Sequence, residues 1–295
     1  MSLATLFVLC RFIHFASLMQ LFGSLVFIRL LPPKTFSQLL VAKNQRLVAI
    51  SVWAMAITAI AMLAIQAGMM GNGWQDSINL NVWLLVLTTT FGEVWRWHML
   101  LAVFTVLLLL NQWLPGREIG VLLLVTLSLI SQALIGHAAM NEGMLGWVQR
   151  SNHALHLLSA SYWFGSLLPL LTCLLYTKKP ALRQDAIATL LRFSTYGHLA
   201  VVVVIVTGIV NSLIILRNVP ISLHVEYQLL LACKIVVVAI MVGVAIFNRY
   251  KLVPMMANNR QVAEGRMVRA TWLMFSLSLL VLALISLLAT LSPGQ

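Results

Sequence analysis

The chain has 295 residues, of which 61% are hydrophobic and 9% charged, and its 19 Lys and Arg against 7 Asp and Glu give a formal net charge of +12. About a quarter of residues are charged in soluble globular domains, so a soluble fold is excluded. A length that would otherwise suggest two domains is instead enough for seven or eight membrane-crossing helices of about 20 residues each.

Apolar runs between charged or Pro/Gly-bearing breaks predict eight spans, near residues 4 to 31, 47 to 70, 94 to 113, 119 to 138, 147 to 176, 193 to 216, 227 to 250 and 270 to 291. The start, Met1-Ser2-Leu3-Ala4, lacks a basic region and no A-x-A-like cleavage site follows, so the first helix is expected to be retained. Val82 to Phe91 is apolar but too short to cross, and reads as an interfacial or re-entrant piece between the second and third spans. Leu114-Pro115-Gly116 is a tight turn joining the third and fourth. Fourteen of the nineteen basic residues, Arg29, Lys34, Arg117, Lys178, Arg192 and Arg249 among them, flank the first, third, fifth and seventh loops. The positive-inside rule makes that side the cytoplasm and puts both termini in the periplasm. The charge then answers to the lipid bilayer and its anionic inner leaflet, and a nucleic-acid partner has no support. Trp74, Trp83, Trp95, Trp97 and Trp147 gather at the expected outer boundary, and Trp113, Tyr176, Tyr250 and Trp272 at the inner one, as aromatic belts do. The fold class is all-α: a polytopic membrane helix bundle forming one integral membrane domain over residues 1–295.

The first and fifth spans match each other at an offset of 142. Arg11 to Leu25 aligns with His153 to Leu167 with six of fifteen positions identical: His14 with His156, Ser17 with Ser159, and the run Phe22-Gly23-Ser24-Leu25 with Phe164-Gly165-Ser166-Leu167. Self-similarity of this kind marks a repeat, with halves about 1–140 and 145–295. Four spans per half is an even number, so the halves would be parallel and related by a pseudo-two-fold axis along the membrane normal. Convergence of two helices on a Gly-Ser packing motif would leave the same trace.

Six of the seven histidines (His14, His98, His137, His153, His156 and His224) fall in the outward half, and only His198 lies near the cytoplasmic side. Ionisable groups in a membrane are costly and mark functional interiors by default. His153 and His156, at i and i+3, share a helix face. Gly136-His137-Ala138-Ala139-Met140-Asn141-Glu142-Gly143-Met144 adds two thioethers, an amide and a carboxylate at the outer mouth. Imidazole and thioether with few thiolates suit copper, Cu(I) in particular, rather than the oxygen-seeking calcium or magnesium. The candidate metal set is therefore His14, His137, His153, His156, Met140, Met144 and Glu142. His98, His198 and His224 read more simply as helix-to-helix or loop hydrogen-bonding residues. Arg11 and Lys234 either snorkel to the interface or neutralise an anion near the histidines. The three cysteines, Cys10, Cys173 and Cys233, form no CxxC pair and offer no zinc motif.

Arg11-Phe12-Ile13-His14-Phe15, Gly136-His137-Ala138 with Asn141-Glu142-Gly143, Asn152-His153-Ala154-Leu155-His156 with Trp163-Phe164-Gly165, and Asn248-Arg249-Tyr250 together resemble the bacterial copper resistance protein D (CopD, PcoD) family, over essentially the whole chain. The resemblance implies an eight-helix, multi-pass inner-membrane protein that moves copper in concert with a periplasmic CopC-like copper-binding protein. It implicates His14, His137, His153 and His156, with Asn141 and Glu142 beside them. Two other readings stay open: a b-type haem electron carrier, since paired histidines on facing helices also hold haem iron, and a non-transporting anchor for a periplasmic partner. No nucleophile–base pair or phosphate-binding loop is visible, so no enzyme activity is expected.

Overall fold

A computed structural model of the chain describes residues 1–111, 113–217, 219–220 and 222–292, without the side chains of residues 137, 138, 256–258 and 260. Among the described residues there is no strand, and the α-helices are α1 (Leu3–Leu30), α2 (Lys34–Met70), α3 (Leu80–Val86), α4 (Thr90–Leu110), α5 (Arg117–Gln132), α6 (Gly143–Gly165), α7 (Leu167–Tyr176), α8 (Arg183–Ile215), α9 (Glu226–Phe247), α10 (Val253–Asn258) and α11 (Arg260–Leu288). Among the described residues, seven helical stretches are long and apolar enough to cross a membrane; α6 and α7 count as one of them.

Helix α1 is the centre. Leu18, Leu21, Leu25, Phe27 and Ile28 are fully buried around its circumference, the pattern of a helix enclosed by others. It packs against α2, α5 and α6. Helices α8 and α9 instead turn Val202, Ile205, Ile209, Ile235, Val236 and Ile240 outward, an apolar surface far too continuous for water and suited to hydrocarbon.

Three departures from the expected spans have local causes. Helix α2 begins at Lys34, thirteen residues before the expected 47, because Phe36, Leu40 and Asn44 find buried places and the Ser37 hydroxyl donates to the Ile28 carbonyl at 2.7 Å. The expected fifth span is divided at Ser166 into α6 and α7. Pro169 has no N–H for the carbonyl four residues back, which is that of Gly165. The fourth span is helical only over the 16 residues of α5, about 24 Å at 1.5 Å per residue. Its first turn nevertheless meets the end of α1, where Arg29 pairs with Glu118 at 3.3 Å, and its last turn reaches His98. The short run Val82 to Phe91 supplies most of α3 and the start of α4. Gly116, at φ +73, makes the turn expected before α5.

The Gly165 carbonyl freed by Pro169 is taken up by α1: Gln20 Nε2 donates to it at 2.7 Å and Ser24 Oγ at 3.2 Å. Ser166 Oγ returns a bond to the Gly23 carbonyl at 3.1 Å. The two glycines touch: a Cβ on Gly23 would lie 2.6 Å from Gly165 Cα. Small residues that let backbones approach are how membrane helices associate without a hydrophobic driving force. At one end of this crossing, Arg192 Nη1 donates to the Leu31 carbonyl at 2.8 Å, so Arg29, Arg192 and the start of α5 share one end of the bundle.

Candidate functional site

Near the middle of α1, on the N-terminal side of the crossing, His14 is completely buried, as is His98 of α4. Their imidazoles face each other with the Nε2 atoms 3.0 Å apart. Each ring is held from behind. His14 Nδ1 lies 2.9 Å from Thr58 Oγ1 of α2, whose own proton goes to the Ala54 carbonyl at 2.6 Å. A hydroxyl already committed as a donor must accept from His14, so His14 carries its proton on Nδ1 and offers a lone pair at Nε2. His98 Nδ1 lies 3.0 Å from Ser131 Oγ and 3.2 Å from Gln132 Nε2, both of α5. With the Gln132 amide donating, His98 keeps its proton on Nε2 and gives it to His14. The chain of hydrogen bonds then runs from Gln132 through His98, His14 and Thr58 to the Ala54 carbonyl without a gap. Ser131 also donates to the Ser128 carbonyl at 2.8 Å, so it can accept from His98 whenever that proton moves to Nδ1.

Trp95 closes the side of this pair. Its ring stacks on His98 at 4.8 Å and 26° and under Phe91 at 4.9 Å, and its Nε1 donates to the Ala59 carbonyl at 3.0 Å. It is fully buried, so of the tryptophans expected in the outer belt this one turns inward and serves as a wall.

His153 and His156 form a second pair on α6, with rings 6.2 Å apart and 12° from parallel. His156 Nδ1 lies 2.9 Å from Thr207 Oγ1 of α8, which donates in turn to the Val203 carbonyl at 2.5 Å. This repeats the His14–Thr58 arrangement. Gly208 gives the His156 ring room: a Cβ there would press it at 3.4 Å. Asn211 Nδ2 donates to His153 Nδ1 at 3.2 Å, and Asn152 bridges Asn211 and the Thr207 carbonyl, each at 2.9 Å. Both histidines are half-buried, and the charged side chains they feel are Lys234 and, for His153, Arg11. Arg11 lies over the Phe15 ring at 5.2 Å, and its Nε is buried without a hydrogen-bond partner among the described residues.

The structure therefore brings His153 to His156, and His14 to His98. No group of three or more His, Cys, Asp and Glu positioned to hold a metal occurs among the described residues. The His137 side chain lies outside the described residues. Met140 and Met144 are exposed beside the start of α6, and exposed Glu142 is its N-terminal flanking residue. Asn141 is tied to Gln149 Oε1 at 2.7 Å. Sequence reasoning missed His98 as a partner of His14, and missed the threonines. The repeat held the signal for these, but His14 and Thr58 are 44 residues apart while His156 and Thr207 are 51 apart. The intervening loops differ in length, so a match at fixed offset stops before the second helix.

Comparison with known proteins gives these residues a context. The chain is 42% identical over 293 residues to inner membrane protein YebZ of Escherichia coli (strain K12), covering 99% of each chain. It is 30% identical over 299 residues to copper resistance protein D of Pseudomonas syringae pv. tomato, covering 96% of this chain and 95% of that one. It is 27% identical over 224 residues to copper transport protein CutJ of Bacillus subtilis (strain 168), covering 73% of this chain and 41% of that one. No solved structure matches. Residues 1–147 match the family described as copper resistance protein D-like, N-terminal domain, and residues 187–288 match copper resistance protein D. With seven helices able to cross a membrane and relatives aligned over nearly its full length, this chain belongs to the copper resistance protein D family of multi-pass inner-membrane proteins.

Proposed function

We propose that the protein carries copper across the inner membrane and that Cu(I), as cargo, is held between His14 and His98. The observation that carries this reading is the facing pair of Nε2 atoms, 3.0 Å apart, with both Nδ1 atoms already tied to hydroxyls. Metal-bound histidines characteristically give their other N–H to a fixed acceptor, which sets the tautomer and the ring direction. Here Thr58 and Ser131 are those acceptors. When the His98 proton passes from Nε2 to Nδ1, both inner lone pairs face the gap and repel each other until a cation stands between them. Metal–imidazole bonds of about 2 Å then require the rings to part by about 1 Å. Copper is exchanged, not trapped, because only two neutral nitrogens hold it.

The outer steps follow the gradient of burial. Met140, Met144 and Glu142, with His137, receive copper at the periplasmic mouth from a CopC-like copper-binding protein; half-buried His153 and His156 relay it; fully buried His14 and His98 accept it. The halves, about 1–140 and 145–295, are parallel four-helix repeats with α5 as the short fourth span, so that eight spans leave both termini in the periplasm. The reciprocal bonds of Ser24 and Ser166 to Gly165 and Gly23, and the matched His14–Thr58 and His156–Thr207 pairs, support that symmetry. A haem is not favoured between His14 and His98, because a porphyrin would have to enter a 3.0 Å gap walled by Trp95.

Cu(I) binding by the detergent-purified protein, measured by competition with a chelator, tests the reading together with cellular copper content. His14→Ala and His98→Ala should each weaken binding more than the about 10–100-fold that loss of a supporting partner costs, and should change copper accumulation. Unchanged binding and accumulation in the double variant would instead favour a non-transporting anchor, and a Soret band in the wild type would favour haem.

A further inference from the structure

At the opposite end of the bundle α9 packs on α11 and stands away from α8, and the space between them is a cavity of about 540 Å³. That is within the usual range for small-molecule sites, about 300–1,000 Å³. Much of its wall is apolar, with Trp163, Leu167, Val201 and Val242 among the lining residues. Its polar groups collect where α9 opens into a single π-helical turn, Asn248–Leu252, a distortion found mostly at functional sites. The turn carries Asn248-Arg249-Tyr250, which the proposed copper path does not use.

The polar groups are unusually specific. Arg249 Nη1 donates to Ser194 Oγ at 3.1 Å. His198 Nδ1 donates to the Ser194 carbonyl at 2.6 Å, and Tyr250 sits edge-on to that ring at 6.2 Å. Asn248 spends its amide N–H on Met274 Sδ at 3.7 Å, while its Oδ1 is buried with no partner among the described residues. Buried polar groups are ordinarily hydrogen-bonded, so a donor is wanted there. Arg183 adds a second guanidinium to the rim. The nearby carboxylate, Glu264, accepts from the Thr177 hydroxyl at 3.0 Å.

We propose that this cavity binds one anionic phospholipid with a hydroxyl-bearing headgroup, of the phosphatidylglycerol type. Arg249 takes the phosphate, a headgroup hydroxyl donates to Asn248 Oδ1, and an acyl chain enters between α8 and α9. Basic pockets between helices on the cytoplasmic side are a recurrent setting for such headgroups, and Arg192, which joins this end to the end of α1, lies one residue before Phe193 in the cavity wall. The site is independent of the histidine pairs.

Native mass spectrometry of the full-length detergent-solubilised protein, titrated with dioleoyl phosphatidylglycerol, dioleoyl phosphatidylcholine or glycerol phosphate, tests the assignment. The expected result is one tightly retained phosphatidylglycerol, at least tenfold weaker retention of phosphatidylcholine, and no retention of glycerol phosphate alone. Arg249→Gln and Asn248→Ala should each reduce retention, and Arg249→Lys should restore part of it. Gly197→Leu provides a variant that keeps every polar group. A Cβ at Gly197 meets nothing within 4 Å, so the larger side chain fills the acyl space without a backbone clash and should expel the lipid from a folded protein. Equal retention of the two lipids, binding of glycerol phosphate as strong as that of the lipid, or retention unaffected by Gly197→Leu and Arg249→Gln would overturn the proposal.

Discussion

Whether the His14–His98 pair can hold a metal turns on the hydroxyls behind its two rings. Thr58 fixes the His14 proton on Nδ1 because its own proton is already given to Ala54. Thr58→Val keeps the shape and removes the acceptor, so His14 is free to present an N–H to the gap. Copper affinity should fall about 10–100-fold, while Thr58→Ser should leave it within a few-fold of wild type; chelator competition reads both. Ser131→Ala should act in the same direction on His98. At this scale the sequence was half legible. His14 stood out because a histidine deep in an apolar helix demands explanation. His98 did not, since its meaning lies in an interhelical contact 84 residues away. Threonines and serines are common in apolar helices, so Thr58 and Ser131 carried no signal until their partners were in place.

Among the elements, the α1–α6 crossing determines where the histidines stand. Gly23 and Gly165 allow backbone contact, and Pro169 releases the carbonyl that Gln20 and Ser24 bind. Gly165→Ala would place its Cβ 2.9 Å from Gly23 Cα, against backbone that has no rotamer to change. Overpacking of this kind costs about 1–3 kcal/mol, and the thermal midpoint in detergent should drop accordingly. Gly197→Ala, in open space, should leave it unchanged or raise it slightly. The repeated Phe-Gly-Ser-Leu run made this crossing readable from sequence. The division of the fifth span was not read, although Pro169 was visible, because prolines are tolerated in membrane helices when a neighbour satisfies the freed carbonyl. Only the structure identifies Gln20 and Ser24 as that neighbour. The early start of α2 was hidden for a related reason: Lys43 and Arg46 mark the membrane boundary but do not stop a helix.

For the whole molecule, the distribution of charge and of histidine describes a bundle with a basic end and an imidazole-bearing end. Arg29, Arg192 and the start of α5 meet at the first, and His14 and His98 lie toward the second. The proposed eight spans, with α5 as one of them, require both termini to be periplasmic. A membrane-impermeant thiol reagent on intact cells should label a cysteine placed at Ser2 or at Ser292, and should reach one at Lys34 or Lys179 only after permeabilisation. Labelling of Ser2 and Ser292 positions from opposite sides would mean an odd number of crossings. Hydropathy and charge made the all-helical membrane bundle legible because the bilayer leaves a chain few alternatives; the pairing of its helices was not, since lipid-facing and partner-facing apolar residues look alike in a sequence. The most direct test of the account is X-ray absorption spectroscopy of the Cu(I)-loaded protein beside its His98→Ala variant. The account predicts a first shell of two imidazole nitrogens at about 2 Å that is lost in the variant. A shell dominated by sulfur, or one identical in the two proteins, would contradict it.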